Sequence, residues 1–457
     1  KAKPFKKHTL LFHEKQTNNL QNGFYYSVLF GAIALIKIFA NLWKPKMSLA
    51  ISNAFAHMSF DAVLTIENKS LTDIENGLQI GYTIDEMYLR AKNFLSGIGL
   101  LKEYADIIYI VAHGSSSANN PHHGAHDCGA CSGRPGATNA RVMAYILNKI
   151  EVRRMLASDK IIIPAHTIFV GAMHDTAADT IGYYDLNYLS KDNNDLHQAN
   201  VKIFEAALDL NARERSRRFA SIDTKRELKT VRSSIFKRAV SLFEPRPELG
   251  HGTNALAIIG RRDFSKHVFL DRRAFLNSYD YRTDPNGEVL LNVMKPIGLV
   301  CGGINLEYYF SRVDNIKLGA GTKLPHNVVG LFGVTNGSDG DLRPGLPWQM
   351  VEVHDPVRLM VIVEHRPEIV LKAIQSSPDV FEWYKNEWVH IMAFDPYQKK
   401  FYRFINDSFQ LYQTIKRSPK IVSTLKLNKI ISHAQKRETN EIADATKENL
   451  PPYILNH

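Results

Sequence analysis

Asp106–Ala112 reads DIIYIVA and runs directly into His113–Asn139, HGSSSANNPHHGAHDCGACSGRPGATN. A continuous apolar run this short marks a strand buried in a parallel sheet. The Gly/Ser/Asn-rich loop beyond it stands where such sheets carry their sites, past the C-terminal strand ends. Downstream, Ala140–Ile150 places Val142, Met143, Ile146 and Leu147 on one helical face, and Ile161–Ile163 and Thr167–Ala172 are two further strand candidates. Upstream, Thr83 and Glu86 have capping-box spacing, Met87, Leu89, Phe94 and Leu95 supply apolar helix positions, and Gly97 and Gly99 close the helix. Strand, loop, helix, strand predicts an α/β fold with a mostly parallel sheet and flanking helices.

The chain has 457 residues, 44% of them hydrophobic and 23% charged, which excludes wholesale disorder and low-complexity classes. Its formal charge of +11 suits an acidic partner surface. Three cysteines cannot make a disulfide framework and fit a reducing compartment. The chain opens on Lys1 and no signal peptide follows, so a piece of a longer chain is the expectation.

Five segments are expected. Residues 1–80 form a helical N-terminal segment, in which Phe24–Trp43 is about the length that spans a bilayer. Lys37 and Asn41 interrupt that run, which favours a buried helix over a transmembrane anchor. Residues 81–195 hold the α/β motif region and 196–250 a basic helical region. Between Asn211 and Arg238 ten Lys/Arg face three Asp/Glu; a solvated helix surface is the plain reading, an acidic membrane surface or partner the functional one. Neither zinc-finger spacing nor an RNP-type aromatic motif is present, so nucleic acid is not expected. Residues 251–370 form a Gly-rich second α+β block, with apolar runs at Ala255–Ile259, Val268–Leu270, Val289–Val293 and Leu359–Val363, and 371–457 a C-terminal helix and mobile tail.

The loop after Ala112 gathers His113, His122, His123, His126, Asp127, Cys128 and Cys131. Imidazole, thiolate and carboxylate are zinc ligands. A thioredoxin-like pair at Cys128 and Cys131 is the redox alternative, although such pairs open a helix directly after a strand, and plain loop residues are the third reading. His113, at the strand end, is held rigidly yet faces the crevice; its structural role would be to tie down the loop. Ser115, Ser116 and Ser117 follow, but Ala118 stands where a nucleophile elbow has its second glycine, so their hydroxyls fit an anion or a ligand better.

The run HGSSSANNPHHGAHDCGACSGRPGATNARVMAYILN resembles the signature of the inorganic-carbon transporter subunit DabA family. RAFLNSYDYR, INLEYYFSRVDN, KLPHNVVGLFGV and GDLRPGLPWQ agree with it in the same order, from about Gly81 to about Val363. The resemblance implies a β-carbonic-anhydrase-like sheet and a Zn2+ site, with His113 and Cys128 as metal ligands and Asp127 and Cys131 in supporting positions. It also implies a peripheral protein on the cytoplasmic face of the bacterial inner membrane. There a membrane-embedded, proton-translocating subunit of the DabB type would be its partner, and the pair would hydrate CO2 directionally to bicarbonate.

One departure is informative. The family's other two ligands lie in a Cys-x-Asp-x-Arg element, and this sequence has none. Ser278-Tyr279-Asp280-Tyr281-Arg282 keeps only the Asp-x-Arg spacing, with serine, a poor zinc ligand, in the cysteine's place. The expectation is that an N-terminal half, in cis or in trans, supplies the missing ligands. The alternative is a non-catalytic remnant or interaction module that has lost half of the site. His126 is a conceivable replacement ligand. His174, Asp175 and Asp179 line the site or serve a loop and helix cap; His326, Asp339, Asp341 and Arg343 shape the Gly-rich loop or line a carbon path.

Overall fold

The computed structural model describes residues 20–43, 63–70, 72–115, 135–219, 221–241, 255–321, 345–346, 348–351, 354–413, 421–432 and 453–456. The first helix, α1 (Leu20–Trp43), is not buried as expected: Phe24 is 66% and Ile36 69% exposed, and Tyr25, Leu29 and Phe39 share that exposure. Among the described residues no helix is long and apolar enough to cross a membrane.

The capping box forms as read. Thr83 Oγ1 accepts the Glu86 N–H at 3.3 Å and the Glu86 carboxylate accepts the Thr83 N–H at 2.9 Å. It starts α2 (Ile84–Gly97), whose four-residue spacing of Met87, Ala91 and Leu95 buries one face, while Leu89 turns outward. That face meets Ile146 and Leu147 of α3 (Ala137–Asn148) and Val152 and Leu156 of α4 (Ile150–Ser158). Each such buried aliphatic side chain contributes about 1.5–3 kcal/mol.

Under these helices lies a three-stranded sheet. β1 (Ile107–Gly114) pairs parallel with β2 (Ile168–Asp175), which pairs antiparallel with β3 (Thr180–Tyr183). Ile161–Ile163 is not a strand. Ile161 and Ile163 plug the helical core while Ile162 is exposed, and Pro164, which has no N–H to donate to a ladder, leads into a turn closed by Thr167 N–H on its carbonyl at 3.1 Å.

The opposite face of this sheet is covered by α5 (Lys191–Ser216), which pairs with α6 (Leu228–Val240) around Phe219, Val231 and Ile235. The basic stretch here is only partly a solvated surface. Arg215, Arg218 and Arg238 are buried, and Asp271 holds Arg218 at 3.2 Å and Arg273 at 2.6 Å.

A six-stranded sheet forms the second block: β4 (Leu256–Gly260), β5 (Ala274–Ser278), β6 (Met360–Glu364), β7 (His390–Asp395), β8 (Lys400–Ile405) and β9 (Ser408–Leu411). Its order is β9-β8-β7-β6-β4-β5. The strands β7, β6, β4 and β5 are parallel, and β8 and β9 add an antiparallel meander. The sheet runs past residue 370, where a division was expected. Val289–Val293, one of the apolar runs, enters the helix Leu290–Pro296. The whole is α/β, with mixed sheets where a mostly parallel one was expected.

Candidate metal centre

β1 and β2 end together. Their parallel register pairs Ala112 with Met173, His113 with His174 and Gly114 with Asp175. Paired residues of neighbouring strands point to one face, so His113 and His174 stand side by side at the C-terminal edge, on the face covered by α5. The sequence named both; the register brings them together.

The chain leaves this edge through Ser115, which is fully buried, and returns at Gly136, whose N–H donates to the His113 carbonyl at 2.9 Å. A Cβ at Gly136 would lie 2.9 Å from the Ala112 Cβ and 3.2 Å from the His113 oxygen, so the returning chain comes this close only because residue 136 has no side chain. Both ends of the cysteine-bearing loop are thus anchored on the residues flanking His113. Asp127, Cys128 and Cys131 lie outside the described residues, as do His122, His123, His126, His326, Asp339, Asp341 and Arg343.

Thr176, the first residue beyond β2, holds the strand ends together. Its N–H donates to the Gly114 carbonyl at 2.8 Å and its hydroxyl to the same oxygen at 3.2 Å. The same hydroxyl lies 3.1 Å from His113 Nε2. In the turn that follows, the Asp175 carboxylate accepts the N–H groups of Ala177 and Ala178, each at 3.1 Å. Asp179 is not in a helix as expected: it sits at φ 53° in the turn between β2 and β3 and is fully buried. Its carboxylate meets Arg215 at 2.9 Å, accepts from Asn211 at 2.8 Å and stands 3.4 Å from His174 Nε2. Arg215 also donates to the carbonyls of Thr176 and Ala177, and Arg232 donates to the Asp179 carbonyl at 3.0 Å. The basic helices therefore grip the turn that supports the histidine pair. Behind it, His197 Nδ1 lies 2.9 Å from the Tyr109 hydroxyl, and burial pushes the His197 pKa below its ordinary value.

Thr176, Asn211, Arg215 and Arg232 were not singled out from sequence. The four-residue spacing of Asn211 and Arg215 on α5 was the available signal, but their partner Asp179 is more than thirty residues away. Asp280 and Arg282 are not part of this edge. They follow β5 of the other sheet, where Arg282 clasps Asp280 at 2.6 Å and lowers its pKa. Among the described residues no three His, Cys, Asp or Glu side chains form a metal cluster. His113 nevertheless fits a zinc ligand: one ring nitrogen is anchored on Thr176, while Nδ1 has no hydrogen-bond partner among the described residues.

A paired-histidine strand edge from which the cysteine-bearing segment leaves and to which it returns defines an α/β protein with a candidate transition-metal centre. The chain belongs to the DabA family: the family profile described as probable inorganic carbon transporter subunit DabA matches residues 2–389. Among curated relatives of that description, the protein from Azotobacter vinelandii is 53% identical over 88% of this chain and 48% of its own length. The protein from Nitrosospira multiformis is 48% identical over 96% of this chain and 48% of its own. The protein from Methylococcus capsulatus is 42% identical over 80% of this chain and 33% of its own. The chain spans about half the length, or less, of the curated relatives it matches. No solved structure matches it.

Proposed function

We propose that this chain supplies His113 and Cys128 to a Zn2+ centre that hydrates CO2 to bicarbonate within an energy-coupled inorganic carbon uptake pump. One observation supports this reading above the rest: the Cys128 loop leaves and returns at the strand end that carries His113. Zinc at such a site would act as a Lewis acid that makes hydroxide available near neutral pH for addition to CO2. The residues of this chain have simpler tasks. Thr176 orients the His113 ring, the Asp179–Arg215 pair keeps the supporting turn rigid, and His174 lines the edge. Asp127, Cys131 and Ser115 shape the loop around the ligands.

Two protein ligands hold zinc weakly. The remaining ligands, a cysteine and an aspartate, come from an N-terminal half together with the arginine that pairs with that aspartate, in keeping with relatives twice as long. The sheet then completes a β-carbonic-anhydrase-like fold. The partner is a membrane-embedded, proton-translocating subunit of the DabB type. The chain docks peripherally on the cytoplasmic face of the bacterial inner membrane, where its +11 charge meets acidic headgroups.

The test is zinc content by elemental analysis, for this chain alone and for this chain co-expressed with the N-terminal half of a relative. Near-stoichiometric zinc in the pair, lost in His113→Ala and Cys128→Ala, is expected. A folded pair without zinc overturns the proposal and favours a non-catalytic interaction module, a reading that the missing Cys-x-Asp-x-Arg supports.

A further inference from the structure

The Thr176 hydroxyl has one proton and two neighbours that could take it. The Gly114 carbonyl lies at 3.2 Å and His113 Nε2 at 3.1 Å. If the imidazole carries its proton on Nε2, that N–H donates to Thr176 Oγ1 and the hydroxyl donates onward to Gly114, so two hydrogen bonds form in sequence. If the proton is on Nδ1, the hydroxyl must turn to Nε2. Its bond to Gly114 is then lost, and the Nδ1–H finds no acceptor among the described residues. The first arrangement makes one hydrogen bond more within the same heavy-atom positions.

Thr176 cannot drift away from this task. Its N–H is bonded to Gly114 at 2.8 Å, and its carbonyl accepts from the buried Arg215. Arg215 is in turn paired with Asp179 at 2.9 Å. The hydroxyl is therefore fixed relative to the end of β1, and its distance to the ring does not depend on the loop.

We propose that Thr176 is a positioning residue that fixes the Nε2–H tautomer of His113 and so makes Nδ1 the nitrogen offered to a metal. The ligand-atom part rests on the zinc reading above; the tautomer part does not. Metal-bound histidines commonly donate their second ring N–H to such an acceptor, and losing it weakens metal binding about 10- to 100-fold.

Long-range 15N–1H correlation spectra of the full chain, labelled with 15N-histidine and recorded metal-free above pH 8, read the tautomer directly, with His113 assigned by its loss in His113→Gln. The expected signal is Nε2–H; a dominant Nδ1–H signal overturns the proposal. Thr176→Ser keeps the tautomer, whereas Thr176→Val leaves a mixture. A folded Thr176→Val chain with an unchanged tautomer also overturns it. If Thr176→Val does not fold, the unsubstituted chain and Thr176→Ser still decide. Saturating 113Cd2+ then separates the two claims. Coupling to His113 Nδ1 supports both, and Thr176→Val should weaken cadmium binding at least 10-fold. Coupling to Nε2 overturns the ligand-atom assignment while leaving the metal reading intact. No coupling to His113 at all, in the chain reconstituted with the N-terminal half of a relative, defeats the metal reading and the ligand-atom claim with it, while the tautomer result stands.

Discussion

The Asp179 carboxylate and the Arg215 guanidinium form an ion pair at 2.9 Å in which both side chains are almost wholly withdrawn from water. The pair ties the turn after β2 to α5, and through the carbonyls of Thr176 and Ala177 it reaches the backbone beside His113. A buried pair of this kind is not worth much against an apolar replacement of both members, but removing one member strands the other.

Arg215→Met should cost about 3–5 kcal/mol, because Asp179 is left charged in the interior. Urea denaturation gives the value directly. Asp179→Asn should cost less, since the amide keeps Asn211 and His174 as neighbours, and the double variant should be more stable than Arg215→Met alone. A urea midpoint unchanged in Arg215→Met would show that the pair is not formed in solution.

Stability should decline in acid partly through His197. Burial lowers its folded pKa beneath the ordinary 6.5, and its neighbours are the Tyr109 hydroxyl and the Tyr183 ring. The folded state binds this proton less readily than the unfolded state. The contribution is therefore complete above about pH 6.5 and disappears as pH falls through the folded value. Urea midpoints at several pH values between 5 and 8 should slope downward on the acid side, and His197→Gln should flatten that slope. An identical slope in the variant would assign the acid sensitivity to other groups.

Two glycines should respond oppositely to substitution. A Cβ at Gly171 on β2 would lie 3.0 Å from the Cα and N of Arg141, where α3 presses its backbone on the sheet. Gly171→Val should cost about 1–3 kcal/mol by forcing the helix back. Gly97, in the last turn of α2, has nothing within 4 Å of its would-be Cβ. Gly97→Ala should stabilise by about 0.4–1 kcal/mol. Thermal melts of the two variants should move in opposite directions.

In the second sheet, Glu364 at the end of β6 is buried and accepts from the Arg261 N–H at 2.8 Å and its Nε at 3.0 Å, while the guanidinium lies over the Tyr281 ring. These contacts join β4 and β6 at their C-terminal ends. Glu364→Ala should cost about 1–3 kcal/mol, the range for leaving such donors without their acceptor. Glu364→Gln, which keeps one acceptor, should recover part of it. Equal loss in both variants would point to the charge rather than the hydrogen bonds.

The strand 107–114 was legible because its apolar side chains need no partner identity to reveal burial, and the capping box because its partners are three residues apart. His113 and His174 were both visible as strand-end histidines. Their pairing was not, since register depends on two strands more than sixty residues apart in sequence. The basic run at 211–238 misled for the same reason: charge reads as exposure until Asp179 and Asp271 are placed beside Arg215 and Arg218. Ile161–Ile163 failed differently. Its side chains alternate in and out as a strand's do, yet among the described residues no strand pairs with it, and the Ile161 N–H turns back to the Leu156 carbonyl at 3.0 Å.

α1 has a practical consequence for anyone handling the protein. Its exposed Phe, Tyr, Leu and Ile side chains form an adhesive rod. Such surfaces self-associate or seek detergent, and the fraction of protein that stays monodisperse should depend on detergent more than on salt.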